Sequence, residues 1–216
     1  RAFDFVWAPA HDEVDGNNVM TTILGPHGLT HESLKNEASN WHDRLSSPAV
    51  TGKCVGVLIG GPNKFYDFDP SEMQKLAENL LLLAQQGHRL LISLSSRSLQ
   101  DYADILKQTL AGRDYYLWHG KGDNPYKAIL GLADQLIVTG DSVNMVGEAC
   151  FAGVPVQVYF LRGHSRRFNR FYEQLLVQDY VKPFEGKLES WPYEPGNATP
   201  EIVAKILDAY HLHQNK

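Results

Sequence analysis

The sequence predicts an α/β fold built on a doubly wound parallel sheet, and three observations carry that prediction. From Lys53 onward, short apolar runs alternate with segments of helical period; the runs lack the in/out alternation of a half-exposed strand; and they end in polar turns rich in glycine or serine. Strands without alternation are buried on both faces. Helices between successive strands are what right-handed parallel crossovers require.

Before that alternation, residues 1–50 form a zone of different composition. A strand over Phe3–Trp7 leads into Ala8-Pro9-Ala10-His11-Asp12 and a turn, Asp15-Gly16-Asn17-Asn18. An apolar stretch from Val19 to Leu24 and a Gly25-Pro26-His27-Gly28 turn follow. Thr30-His31-Glu32-Ser33 reads as a capped helix start, and the helix ends before Ser46-Ser47-Pro48, the expected linker. The chain opens at Arg1 on a strand and without a methionine, so it reads as the back part of something longer. Residues 1–50 are expected to be the tail of a preceding domain with its linker, and residues 51–216 the domain proper.

Within that domain the first strand is Val55–Ile59, closed by Gly60-Gly61-Pro62. Asp69 caps the next helix with Pro70 at its first position, and Met73, Leu76, Ala77, Leu80, Leu83 and Ala84 recur at helical spacing until Gly87. Leu90–Leu94 is the second strand, followed by Ser95-Ser96-Arg97 and a helix over 99–110. Tyr115–Trp118 is the third, with Asn124 capping and Pro125 opening its helix. Leu136–Val138 is the fourth, and the helix after it is capped by Ser142 or Asp141. Val156–Phe160 is the fifth and last predicted strand. An amphipathic helix over Ser165–Val177, an extended link through Trp191-Pro192-Tyr193-Glu194-Pro195 and a helix from Thr199 to about Leu212 complete the chain.

Composition narrows the function. A net charge of −5 argues against a general nucleic-acid binder, which carries a basic surplus. No run approaches the ~18 apolar residues of a membrane span, and no secretory pattern is present. Cys54 and Cys150 read as small buried hydrophobes of a reducing compartment, so the expected location is cytoplasmic. The basic stretch Arg162–Arg170 suits closing over a phosphate or peripheral contact with anionic lipid, as options beside an ordinary amphipathic surface helix.

Five features suit chemistry. Gly60-Gly61-Pro62-Asn63-Lys64 either brings backbone N–H groups to a phosphate or is a tight turn; it matches neither G-x-G-x-x-G nor the P-loop. Ser96 and Arg97 suit phosphate oxygens or a surface acid. The loop holding Lys121, Asp123 and Asn124 suits a base or sugar, or is only a capped helix entry. The stretch Val138–Pro155 suits a diphosphate at its helix start, with Glu148 as acceptor for a ribose diol. Among His11, His27, His119 and His164, His11 beside Asp12 is the best acid or base; none has metal-ligand spacing, so no metal is expected.

Phe3-Asp4-x-Val6, Pro9-x-His11-Asp12, Ile59-Gly60-Gly61-Pro62, Ser95-Ser96-Arg97, Gly122-x-Asn124-Pro125-Tyr126 and, above all, Val138-Thr139-Gly140-Asp141-Ser142-Val143-x-Met145-Val146-x-Glu148-Ala149 resemble the elongated-mitochondria, or mitochondrial fission, family. The resemblance covers nearly the whole chain. Bacterial members of that family are treated as glycosyltransferases or nucleotide-sugar enzymes. More distantly, the last segment is similar to the donor half of GT-B glycosyltransferases, whose domains are Rossmann-like. That match implies Asp141, Ser142 and Met145 at the diphosphate turn, Glu148 at the ribose and Gly60, Gly61 and Pro62 at the glycine loop. It also implies a nucleotide-diphosphate sugar as donor substrate, with no cofactor. The expected function is therefore metal-free glycosyl transfer, with Arg97, Lys64 or Lys121 stabilising the leaving diphosphate. A nucleotide-sugar epimerase and a non-catalytic adaptor with membrane or protein partners are the alternatives.

Overall fold

A computed structural model of the chain describes residues 3–48, 51–192 and 194–214. Val50, at the expected domain boundary, and Tyr193, in the expected extended link, lie outside them. The elements in chain order are β1 (Val6–Pro9), a 3-10 turn (Ala10–Asp12), β2 (Val19–Thr22), α1 (His31–Leu45), β3 (Cys54–Ile59), β4 (Tyr66–Asp67), α2 (Pro70–Gln85), β5 (Arg89–Leu94) and α3 (Asp101–Thr109). Then come β6 (Tyr115–Trp118), α4 (Tyr126–Leu132), β7 (Gln135–Thr139), α5 (Val143–Phe151), β8 (Val156–Tyr159), β9 (Arg162–Gly163), α6 (Arg166–Val177), β10 (Val181–Pro183) and α7 (Thr199–Gln214).

Six strands form one fully parallel sheet in the order β10-β8-β7-β3-β5-β6. Numbered along the chain, that is 6-5-4-1-2-3, the strand order of dinucleotide-binding domains. The order reverses between β3 and β7, which opens a crevice at their carboxyl ends. The α/β, doubly wound fold is as the sequence predicts, with one strand more. Val181–Pro183 pairs with β8 at the sheet edge, and three residues are too few for a periodicity to betray.

Both faces of the sheet are covered. Val55, Val57, Ile59, Leu90, Ile92 and Ile137 point to one core with α2 and α3, while Leu58, Leu91, Leu136 and Val138 point to the other, with α1, α4, α5 and α6. This is why the strands read as continuous apolar runs. The caps form as the residues demand: Asp69 accepts from Glu72 N–H, Ser142 from Met145 N–H, and Thr30 forms a reciprocal box with Ser33. Asn124 accepts from the Tyr126 N–H at 3.0 Å, and Pro125 occupies the cap position rather than the first turn.

The N-terminal region departs from expectation. Its first strand is Val6–Pro9, displaced toward Pro9, and it pairs in parallel with β2 in a separate two-stranded sheet. More consequentially, the core crosses the boundary expected at residue 50. Leu34, Trp41 and Leu45 of α1 are buried together with Ile129, Leu130 and Leu136, and α1 lies along α4. No helix among the described residues is long and apolar enough to cross a membrane.

Candidate functional site at the sheet switch point

The turns after β3 and β7 are locked to each other. The Thr139 hydroxyl accepts from Gly60 N–H at 2.8 Å and donates to Asp141 Oδ1 at 2.6 Å. Asp141 Oδ2 accepts from Gly61 N–H at 3.1 Å and from the Arg97 guanidinium at 2.6 Å, and Arg97 also donates to the Gly61 carbonyl at 3.2 Å. The Asp141 side chain is 0% exposed. A buried carboxylate is tolerated because a cation and two neutral donors surround it.

This arrangement explains the two glycines. A Cβ on Gly60 would lie 2.0 Å from Asp141 Oδ2, and one on Gly61 would lie 1.9 Å from the Arg97 carbonyl oxygen. The close approach they permit is therefore to protein groups. Gly60, Gly61, Arg97 and Asp141, separate ligand candidates in the sequence, come together as one another's partners. Pro62 follows half-buried, while Ser96, Lys121 and Asn124 are exposed on the rim, and the loop's Asp123 pairs with Arg44 of α1 at 3.6 Å.

Beside this knot, between α5 and the N-terminal segment, is a cavity of about 240 Å³ with His11, His27, Asn144, Glu148 and Arg167 in its wall. Helix α5 presents one face to it, because Asn144, Gly147 and Glu148 are spaced three and four apart. Ser142 takes the N–H of Met145 at 3.4 Å. Val143 and Asn144, whose N–H groups are among those a helix start leaves without an intrahelical acceptor, both line the cavity. One turn deeper, half-buried Glu148 accepts from the Tyr126 hydroxyl at 2.6 Å through Oε2, which leaves Oε1 available. Burial, then the neighbouring Glu148, raises the Tyr126 phenol far above its ordinary range, so it stays a donor.

Two histidines face the same space. His11 is 3% exposed and has no hydrogen-bond partner at either ring nitrogen; its ring meets Phe171 edge-on at 5.4 Å. Burial lowers its pKa, and Asp12, 3.7 Å away, opposes that shift only in part. His27 accepts from Leu29 N–H at 3.3 Å through Nδ1, which fixes the neutral ring's proton on Nε2, a buried donor without a partner. Burial lowers the His27 pKa as well, against the pull of Glu148. Thr199 pins the residue by bonding both its N–H (3.0 Å) and its carbonyl (3.2 Å).

Helix α6 closes the assembly from above. Tyr172 donates to the Gly140 carbonyl at 2.9 Å, Arg170 pairs with Glu13 at 2.6 Å, and Arg167 pairs with Asp12. A larger hollow of about 590 Å³ runs between α1 and α4. Its Ala133 and Val154 precede β7 and β8, so it opens at the amino-terminal rim, opposite the edge where such sheets hold ligands.

The sequence marked His11, Asp12, Ser142, Met145 and Glu148, and all of them meet here or support the cavity wall. It noted His27 and Tyr126 without assigning them to this site, and Arg167 only as part of a basic helix that suits a phosphate or a lipid surface. Their convergence depends on the Gly25–Gly28 turn and α6 folding back onto α5, which no local pattern encodes.

Fold and cavity together define a doubly wound α/β domain with a cleft beside its switch point, walled by an open helix start and a helix carboxylate. The chain matches the family Mitochondrial fission ELM1 over residues 1–210 and belongs to it. It is 29% identical over 194 residues to the mitochondrial fission protein ELM1 of Arabidopsis thaliana, covering 88% of this chain and 45% of that one. It is 28% identical over 170 residues to an uncharacterised protein of Rickettsia prowazekii (strain Madrid E), covering 74% and 48%. The chain thus spans about half the length of these relatives. Among solved structures, the UDP-GlcNAc 2-epimerase of Neisseria meningitidis, crystallised with UDP-GlcNAc, aligns with a TM-score of 0.47 at 16% identity, covering 92% of this chain and 57% of that one.

Proposed function

We propose that the cleft binds a nucleoside-diphosphate sugar, and that the chain is the donor-binding part of a GT-B-like glycosyltransferase acting without a metal. The observation that carries this reading is the shared face of α5. Its open N–H groups and positive dipole end suit a diphosphate, and Glu148, with one free carboxylate oxygen, suits a ribose hydroxyl one turn further along. His27 Nε2–H, on the same wall, supplies a donor for an oxygen that a carboxylate cannot serve.

Volume sets a limit on what is held. About 240 Å³ is below the roughly 300–1,000 Å³ of ordinary small-molecule sites. The cavity therefore takes the ribose and diphosphate, with base and sugar lying along its open sides. Asp141, Arg97, Gly60 and Gly61 serve this reading as a rigid floor that fixes the start of α5.

Calorimetric titration with UDP, GDP, ADP and CMP sugars tests the proposal. At least one is expected to bind, and Glu148→Ala is expected to weaken it tenfold or more, about 1.4 kcal/mol. If none binds and none shifts the melting temperature, the nucleotide reading is wrong and an adaptor role takes its place. Product analysis with the bound nucleotide sugar separates transfer, which needs an acceptor, from epimerisation, which does not.

A further inference from the structure

The nucleotide reading leaves the diphosphate without a cation. Arg97, the arginine that the sequence offers, is committed to the fully buried Asp141 and to the Gly61 carbonyl. Lys64 lies over the Phe65 ring at 4.7 Å and Lys121 is exposed in the loop after β6, and neither lines the cavity. The arginine that does line the wall is Arg167 of α6, and its partner is Asp12 in the turn after β1. Next to Asp12 stands His11, almost fully buried in the same wall, with two ring nitrogens that no protein group satisfies. Native interiors seldom leave such a group unpaired. An anion in the cavity would supply the missing acceptor.

We infer that Arg167 is the cation that receives the diphosphate, and that Asp12 is a resident anion holding its place until the ligand displaces it. This rests on the nucleotide reading for the identity of the ligand, though the anion seat itself stands on the residues above. Arg167 is 55% exposed and Asp12 24%, so the ion pair between them is partly solvated and cheap to exchange. A guanidinium meets phosphate oxygens through two parallel N–H donors, as it does a carboxylate, so the change of partner keeps its hydrogen-bonding geometry. Helix α6 itself need not move, because Tyr172 stays bonded to the Gly140 carbonyl.

The experiment compares wild type with Asp12→Asn, Arg167→Gln and Glu13→Gln, titrated calorimetrically with UDP and separately with inorganic pyrophosphate. Circular dichroism melts confirm that each variant is folded. Asp12→Asn removes the competitor and is expected to tighten both ligands about fivefold. Arg167→Gln is expected to weaken both about tenfold. Glu13→Gln, which breaks the neighbouring tether outside the cavity, should leave both unchanged. If UDP binds wild type but Asp12→Asn and Arg167→Gln leave its affinity unchanged, this inference fails and the nucleotide reading stands. A weaker UDP affinity in Asp12→Asn likewise refutes the competitor role. If pyrophosphate follows the expected shifts while no nucleotide binds, the anion seat stands and the nucleotide reading fails. Binding of neither ligand to any variant overturns both.

Discussion

Replacing Asp141 tests whether the switch-point turns are held by this one carboxylate. Asp141→Ala removes the acceptor for Gly61 N–H (3.1 Å), the Thr139 hydroxyl (2.6 Å) and the Arg97 guanidinium (2.6 Å). Gly61 and Thr139 are buried, so each donor left unsatisfied costs about 1–3 kcal/mol. Arg97 is 39% exposed and can turn to water, so its loss adds only about 0.5–1 kcal/mol. The expected destabilisation is therefore about 2.5–7 kcal/mol, a span that contains the roughly 3–5 kcal/mol for breaking a buried ion pair. For a chain of this size that corresponds to a fall of roughly 10 °C in melting temperature. Urea unfolding followed by circular dichroism measures it, with Asp141→Asn as the milder variant, since it keeps one acceptor oxygen. Arg97→Gln should destabilise as well, because it leaves the two buried donors satisfied but strips the cation from a fully buried carboxylate. A loss below about 1 kcal/mol for Asp141→Ala would refute the reasoning.

Two further outcomes follow from the same geometry. Trp41, 5% exposed in the core shared by α1 and α4, should cost about 3–5 kcal/mol when changed to Ala in the same urea assay; a near-neutral result would mean that α1 is not part of the domain. Burial lowers the pKa values of His11, His27 and His88, so the folded chain binds fewer protons than the unfolded one just below pH ~6.5. Their contribution is fully present above that pH and is lost as pH falls toward the folded pKa values. Urea midpoints should therefore drop on acidification below pH ~6.5, and His11→Leu should flatten the drop. At neutral pH His11→Leu should be neutral or stabilising, because it removes two buried polar atoms without partners. A marked loss there would show that His11 supports the fold.

Legibility in the sequence followed the range of the interaction. The sheet strands from β3 to β8 and the helices between them were legible because burial on both faces writes continuous apolar runs, and because caps such as Asp69 and Ser142 act within three residues. Glu148 stood out for a local reason too, as a lone acid on a small, apolar helix. β10 was missed because three residues at a sheet edge carry no period.

The amino-acid sequence by itself determined the α/β class, the doubly wound pattern and the acid on α5. Only the tertiary structure decided that Gly60, Gly61, Arg97 and Asp141 serve one another, that α1 shares the main core, and that His11, His27, Glu148 and Arg167 wall one cavity. The physical reason is distance along the chain. Capping and periodicity join residues a few positions apart, whereas Gly61 meets Asp141 across 80 positions and His27 meets Thr199 across 172, contacts fixed only when the sheet order and the return of the last helix are settled.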